Sequence, residues 1–319
     1  MNTTTRTTIE TLETRAMMSV TAYMENGIAY LKGDAGNNKI HVEASKHTLA
    51  VYDISAKSYG KGAPILTSLV ITSATGVMIY GQDGNDVIEL GATPAKPCSV
   101  LGGLGDDVLL GSNHTDALYG GAGQDFLMGK GGTDYLFGEN GGDSLIGDGP
   151  GSPVGHDFLS GGKGTDMVTY YYAPSAVKAT LGVPTSNGVA GESDNIQGDV
   201  ENLAGSSFAD NLTGNALSNS IWGRGGNDTI NGMAGQDALY GDAGNDTITG
   251  GQGSDVLVGN AGSDTFYASD DADLDVVWGG NYGVASDANN EYDTAYRGQN
   301  ANGLWDAIGG EIEKIWNVA

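Results

Sequence analysis

Aspartate recurs at one fixed place in a series of short glycine-rich segments. The segment 250–258, for example, has the sequence GGQGSDVLV, with Asp255 in sixth place. Carboxylate oxygens and the backbone carbonyls of glycine-rich turns are hard donors that suit Ca²⁺, whereas zinc and copper favour His and Cys. Because the sequence has only four His and one Cys, the pattern predicts binding of calcium.

The same place is acidic in fourteen segments, and these acids are the candidate metal ligands. The fourteen are Asp86, Asp107, Asp116, Asp125, Asp134, Asp143, Asp157, Asp166, Asp210, Asp228, Asp237, Asp246, Asp255 and Asp264. In the best-formed segments we expect the first and fourth glycines to take part in the site as well. They are Gly223, Gly226, Gly232, Gly235, Gly241, Gly244, Gly250, Gly253, Gly259 and Gly262.

Some segments depart from the pattern. His114 and Phe208 replace the fourth-place glycine, and the segment that starts at Gly214 has Leu217 there and Asn219 in place of the acid. We expect these turns to bind calcium weakly or not at all. The set of predicted ligands therefore leaves out Asp116 and Asp210.

The segments form two gapless arrays of nine-residue repeats, at 102–146 and 205–267. Six glycine-rich residues can turn the chain, and three residues such as Val-Leu-Val can form a short strand with only the middle side chain inward. Two repeats then close an 18-residue coil, and the sixth-place acids stack at about 5 Å. Uncompensated carboxylates at that distance repel by about 1 to 3 kcal/mol per pair, and a divalent cation would remove this cost.

A metal-free role for the acids is the alternative. Asp also caps turns through its own backbone, and a β-solenoid could carry an Asn or Asp ladder without any cation.

The repeat GGxGxDxUx, where U is a large aliphatic residue, resembles the RTX or hemolysin-type calcium-binding nonapeptide. The resemblance covers about residues 81–169 and 205–267. It implies an all-β fold, a right-handed parallel β-roll (a β-solenoid), in a secreted, extracellular protein that binds several Ca²⁺ ions.

Composition excludes several other classes of protein. The net charge is −26, so nucleic acids and anionic membrane surfaces would be repelled. Among the acids, 29 are Asp and 11 are Glu, which disfavours a helical bundle. No stretch has the ~18 apolar residues of a membrane helix, and the single Cys98 can form no internal disulfide. The expected partners are calcium and an extracellular glycan or protein, with no nucleic acid and no membrane span.

Changes in the pattern divide the chain into six predicted segments. Residues 1–19 are an export-associated or disordered segment, since 12–19 resemble a short LExRxxLS stretch that opens many exported bacterial proteins. Residues 20–95 are expected to be a β-rich N-terminal domain with degenerate repeats. The further segments are the first roll block at 96–169, a β insert at 170–204, the second block at 205–267 and a C-terminal cap at 268–319.

The acids Asp271, Asp273 and Asp275 in the tail are spaced like the start of an EF-hand loop. Val276 and Tyr282, however, take the places of its glycine and its bidentate glutamate. We therefore predict no EF-hand there.

Catalytic motifs are absent from the sequence. There is no HExxH for a zinc protease, no GxSxG nucleophile elbow and no Asp-Pro dipeptide of the kind found in alginate epimerases. We predict a non-enzymatic calcium-binding module with a structural or binding role. The alternatives are the substrate-binding RTX portion of an alginate-epimerase-like enzyme and an extracellular adhesin.

Overall fold

A computed structural model describes residues 20–44, 48–53, 65–70, 75–91, 97–184, 187–268, 274–280, 293–297, 307–309 and 312–317. The regular elements in these ranges are all β-strands, so none of the described residues forms a helix that could cross a membrane. The chain divides into two compact units, Met1–Asp166 and Met167–Ala319.

Unit 1 contains fourteen strands. They are β1 (Thr21–Glu25), β2 (Ile28–Lys32), β3 (Lys39–Ala44), β4 (Thr48–Asp53), β5 (Ile65–Val70), β6 (Gly76–Asp83), β7 (Val87–Leu90), β8 (Cys98–Leu104), β9 (Val108–Leu110), β10 (Asp116–Ala122), β11 (Phe126–Lys130), β12 (Tyr135–Asn140), β13 (Ser144–Asp148) and β14 (Phe158–Lys163).

Unit 2 contains the other sixteen described strands. They are β15 (Met167–Thr169), β16 (Val177–Thr180), β17 (Gly188–Val189), β18 (Asn195–Ile196), β19 (Asn202–Ala204), β20 (Asn211–Thr213), β21 (Ser220–Trp222), β22 (Thr229–Ala234), β23 (Ala238–Ala243), β24 (Thr247–Gln252), β25 (Val256–Ala261), β26 (Thr265–Ala268), β27 (Val276–Trp278), β28 (Asp293–Arg297), β29 (Ala307–Gly309) and β30 (Ile312–Asn317).

Within the repeats, successive strands alternate between two sheets, so the chain winds as a coil. In unit 1 the sheets have the orders β1-β2-β6-β8-β10-β12-β14 and β13-β11-β9-β7-β3-β4-β5. In unit 2 they are β29-β27-β25-β23-β21-β19-β15 and β17-β16-β20-β22-β24-β26-β28-β30. Pairing is parallel within the repeats, with Leu118 opposite Leu136, for example, one coil of 18 residues away. The predicted parallel β-roll is confirmed.

The core of each roll is a column of aliphatic side chains contributed once per strand. In the two arrays of repeats, the middle residue of each three-residue strand motif points inward and is 0 to 1 % exposed, as in Leu109, Leu127, Leu136, Ile230 and Leu239. Because each half-coil contributes one inward strand side chain, the six residues before the strand must turn the chain back within a small volume, which requires small side chains. This requirement explains the glycine content of the turns.

The fourth-place glycine of a repeat meets two backbone constraints together. Gly244 has φ +143°, a conformation that L side chains rarely adopt, and a Cβ there would overlap the carbonyl oxygen of Gly226 in the neighbouring coil. Gly123 is in the same situation against Gly105. The fourth-place glycines therefore allow consecutive turns to stack directly on each other.

Strands outside the two arrays extend the same sheets. In the N-terminal region β2 pairs in parallel with β6, and β3 pairs in parallel with β7. In the tail β27 pairs in parallel with β25, and β28 with β26. Both flanking regions thus continue the stacking that the repeats establish.

Candidate metal-binding turns

The sixth-place side chains form four ladders, two in each unit, along the turns of the rolls. In each ladder the Oδ1 atom of one residue accepts the backbone N–H of the ladder residue one coil earlier, at 2.6 to 2.9 Å. Unit 1 holds ladder 1 (Asn38, Asp86, Asp107, Asp125, Asp143, Asp166) and ladder 2 (Asp116, Asp134, Asp157). Unit 2 holds ladder 3 (Asp210, Asp228, Asp246, Asp264) and ladder 4 (Asn219, Asp237, Asp255, Asp275).

All fourteen sixth-place acids of the sequence lie on these ladders and are buried. The interval between neighbours is 18 residues within the arrays, but 23 from Asp134 to Asp157 because that coil contains a longer loop. Sequence reasoning missed one ladder acid, Asp275, which bonds the Asp255 N–H at 2.9 Å from a turn two residues longer than a repeat. The signal was present, since Asp275 is followed by Val-Val-Trp as Asp255 is by Val-Leu-Val.

The second carboxylate oxygen, Oδ2, of the ladder acids is the candidate metal ligand in these turns. Buried Oδ2 atoms that accept no hydrogen bond from the described residues belong to Asp86, Asp107, Asp125, Asp134, Asp143, Asp228, Asp237 and Asp246. A buried carboxylate oxygen without a partner is costly unless a cation or a proton compensates it.

Each of these oxygen atoms faces a space beside the first-place glycine of its own repeat. A Cβ on Gly102 would overlap Asp107 Oδ2 and would lie 2.5 Å from the carbonyl oxygen of Gly120. At Gly232 the Cβ would overlap Asp237 Oδ2 and lie 2.5 Å from the Gly250 carbonyl oxygen. A carboxylate and a carbonyl oxygen from successive coils thus converge where the glycine leaves room, and this donor set suits Ca²⁺.

Carbonyl oxygens are essential to this interpretation. In the described part of the chain no three His, Cys, Asp or Glu side chains come together as a possible metal cluster. A cation in these turns would therefore have one carboxylate per coil and would complete its shell with backbone carbonyls, which the glycine-rich loops present.

Burial raises the pKa of several ladder carboxyls above the ordinary value of 3.8. The pKa is about 7 for Asp107 and for Asp228, about 9 for Asp134, and about 6 for Asp125 and Asp237. In each case desolvation is the largest cause, and the ladder N–H bond opposes it. Without a cation, burial in the folded turns therefore shifts these carboxyls toward their protonated form relative to the unfolded chain.

The fifth-place side chains form a separate, exposed ladder whose hydrogen bonds are complete without metal. Asn227 Oδ1 accepts the Asn245 N–H at 2.9 Å, and Asn245 Oδ1 accepts the Ser263 N–H at 2.8 Å. Asp106 accepts the Gln124 N–H at 2.9 Å in unit 1. One side-chain oxygen per coil is thus enough to stack the turns. The buried second oxygen of the sixth-place acids therefore needs another explanation.

The fold and these turns define a parallel β-roll with stacked, acid-bearing glycine turns. Residues 78–92, 99–127, 123–149, 154–169, 204–239 and 240–275 match the family described as the RTX calcium-binding nonapeptide repeat (4 copies). The chain contains RTX calcium-binding nonapeptide repeats over these residues, as the resemblance of its repeats implied. Repeats of this family bind calcium. A comparison with curated proteins found no match.

Proposed function

We propose that the protein is a secreted, non-catalytic module whose rolls fold as several Ca²⁺ ions bind between stacked turns. The observation that carries this proposal is the buried Oδ2 atoms, from Asp86 to Asp246, that accept no hydrogen bond from the described part of the chain. Each would be a calcium ligand together with carbonyl oxygens of the first-place glycines. The predicted ligands among the acids and glycines of the second array, from Gly223 to Asp264, belong to this proposal.

The metal-free alternative is disfavoured by the choice of side chain. A ladder that only holds turns together needs one oxygen per coil, and Asn provides it in the exposed fifth-place ladder. At the sixth place Asp buries a second oxygen instead, which raises the pKa of the carboxyl. A bound divalent cation stabilises this arrangement, whereas a purely structural ladder gains nothing from it.

Calcium also supports the proposed location outside the cell. With a net charge of −26 the chain repels itself when its carboxylates are ionised and uncompensated. Calcium-poor cytosol would then keep it expanded, and a calcium-rich exterior would fold it, because ligand binding to the native state alone shifts the folding equilibrium.

The experiment is a comparison of the full chain with and without calcium. Circular dichroism should show β-structure and a cooperative thermal transition in millimolar CaCl₂, and both should be lost after metal removal and regained on addition. Direct counting should give several ions per chain. Magnesium at the same concentration is the control for ionic strength, and β-structure with an unchanged melting temperature in metal-free buffer would contradict the proposal.

A binding role for the same module, as in the adhesin or epimerase-like alternatives, is favoured by one polar face of unit 2. Thr229, Thr247 and Thr265 stand opposite one another on consecutive parallel strands. The neighbouring outward column contains Thr213, Asn231 and Thr249. Binding to a glycan array that disappears in a Thr247→Tyr variant with unchanged calcium content would support this role, and no binding by the parent would argue against it.

A further inference from the structure

The first ladder side chain of every ladder differs from those that follow it. Asp116 begins ladder 2, and its Oδ2 accepts the backbone N–H of Ser112 at 2.7 Å and the Ser112 hydroxyl at 2.9 Å. Asp210 begins ladder 3 in the other unit, and its Oδ2 accepts the Ser206 N–H at 2.6 Å and the Ser206 hydroxyl at 3.0 Å. The same hydrogen-bond arrangement thus occurs in both turns, each with serine in the second place of the repeat.

The serine hydroxyl in these two turns is engaged from both sides. Ser112 Oγ also accepts the backbone N–H of His114 at 3.2 Å, and Ser206 Oγ accepts that of Phe208 at 3.1 Å. The bulky residues that replace the fourth-place glycine thus donate the backbone N–H that fixes the serine. Each serine hydroxyl thus accepts a hydrogen bond within its own turn and donates one to the ladder carboxylate. The corresponding Oδ2 atoms of Asp134 and Asp228, the next acids of the two ladders, accept no hydrogen bond from any described residue.

Ladders 1 and 4 begin with an amide in place of the acid. Asn38 Nδ2 donates to the carbonyl oxygens of Gly36 at 2.6 Å and Asp34 at 3.0 Å, and to Asp86 Oδ1 at 3.0 Å. It therefore gathers carbonyl and carboxylate oxygens around one donor group. Asn219 Nδ2 donates to the Glu201 carbonyl at 2.9 Å, while Asn219 Oδ1 accepts the Asn215 N–H at 2.8 Å.

We propose that these four start turns are metal-independent, because protein N–H and O–H donors occupy the place that a cation takes in the turns that follow. This inference rests on the proposed function and deepens it. Calcium would bind only from the second residue of each ladder onward, at the acids whose Oδ2 lacks a donor. Each start turn would then keep its structure without metal, and the calcium-dependent coils would stack on it.

Calcium counting on matched variants of the full chain separates this assignment from its opposite, in which serine and asparagine oxygens are further ligands. Ser206→Ala removes a hydroxyl from a start turn, and Ser218→Ala removes one from the exposed fifth-place ladder, where it accepts the Gln236 N–H at 3.2 Å. We expect both variants to bind as many Ca²⁺ ions as the parent. Ser206→Ala should raise the calcium concentration at the folding midpoint by about two- to tenfold, because the hydrogen bonds of the hydroxyl to both Asp210 and Phe208 are lost. A loss of one ion on Ser206→Ala overturns the proposal.

Asn219→Asp keeps the test decisive if Ser206→Ala does not fold. This change keeps the Asn215 N–H on the side-chain oxygen of residue 219, so the start turn should still bind no cation and the count should stay that of the parent. Asn227→Asp, which adds the same charge at an exposed fifth place, is the control and should also leave the count unchanged. A gain of one ion on Asn219→Asp overturns the proposal. If the parent chain itself binds no calcium, the proposed function fails, which is a different outcome from either of these.

Discussion

Asp246 Oδ1 accepts a 2.8 Å hydrogen bond from the backbone N–H of Asp228, although the two residues are 18 positions apart. One carboxylate therefore has two tasks. Its Oδ1 fixes the register of successive coils, and its Oδ2 faces the first-place glycine of its own repeat, where we propose a calcium ligand. The proposed function therefore couples stacking and metal binding in the same side chain.

Asp246→Ala should remove at least one bound Ca²⁺ and lower the free energy of unfolding in saturating calcium by about 3 kcal/mol. The reason is the loss of both the ladder bond and a ligand. Asp116→Ala should leave the calcium count unchanged, because the Asp116 Oδ2 atom already accepts hydrogen bonds from the Ser112 N–H and hydroxyl. Metal counting combined with denaturant unfolding measures both, and equal losses of calcium in the two variants would contradict this ranking.

Asp246→Asn separates the two tasks of the carboxylate. It keeps an oxygen for the Asp228 N–H and replaces the metal-facing oxygen by a donor, as Asn38 does naturally. We expect the loss of calcium seen in Asp246→Ala with a smaller loss of stability. If the asparagine variant is as unstable as the alanine variant at saturating calcium, the ladder bond contributes little.

Gly244→Ala tests the stacking of the turns at a fourth-place glycine without changing a ladder acid. The new Cβ would overlap the carbonyl oxygen of Gly226, and the residue would be held at φ +143°. A cost of about 1–3 kcal/mol is expected from backbone strain alone. Gly280→Ala is the matched control, because nothing lies within 4 Å of its Cβ position. Thermal unfolding in calcium compares the two, and equal melting temperatures would show that the turns can separate without cost.

The coil of the rolls could be predicted from the sequence because its period is rigid. Each repeat has the same six-residue turn and three-residue strand, so Leu127 and Leu136 must point inward and Asp125 and Asp134 must fall on turns. Stacking of repeats n and n+2 then follows from geometry, as the pairing of Leu118 with Leu136 confirms.

Coils of irregular length could be predicted only in part. The segment 33–40 is recognisable as a worn repeat, but that Asn38 bonds Asp86 across 48 residues depends on how the chain between them leaves and rejoins the roll. Likewise, the loop in the coil between Asp134 and Asp157 brings Gly149 beside Lys130 and Met128, and Met128 is only 7 % exposed. No period encodes such contacts.

Leu136→Ala should destabilise the calcium-bound protein by about 2–5 kcal/mol, because the side chain is fully buried in the column between the two sheets. Leu104→Ala provides the control with the same chemical change, since Leu104 is 57 % exposed, and should shift stability by less than about 0.5 kcal/mol. Denaturant unfolding of both variants at saturating calcium gives the two numbers. Similar values for the two leucines would be incompatible with a core made of one inward residue per strand.

The pH dependence of the protein should have opposite signs with and without calcium. Burial raises the pKa of Asp107 and Asp228 to about 7 and that of Asp134 to about 9, against 3.8 in the unfolded chain. Between these values the folded state binds more protons than the unfolded state, so the stability of the calcium-free protein is greatest at acidic pH and falls as the pH rises from about 4 to about 7 for Asp107 and Asp228, and to about 9 for Asp134. With calcium present, protons compete for the same oxygens, and the affinity for calcium should rise over this range.

Circular dichroism on protein freed of metal by dialysis, rather than held in a chelator whose strength varies with pH, tests the first sign. β-structure should increase as the pH falls from 8 to 5. Calcium titrations at the same pH values test the second. Asp107→Asn, which cannot ionise at one of the perturbed positions, should flatten both dependences, whereas Asp83→Asn changes an exposed acid of the same unit and should leave them as in the parent. Calcium affinity that is constant from pH 5 to 8 would show that the ladder carboxyls do not exchange protons for the metal.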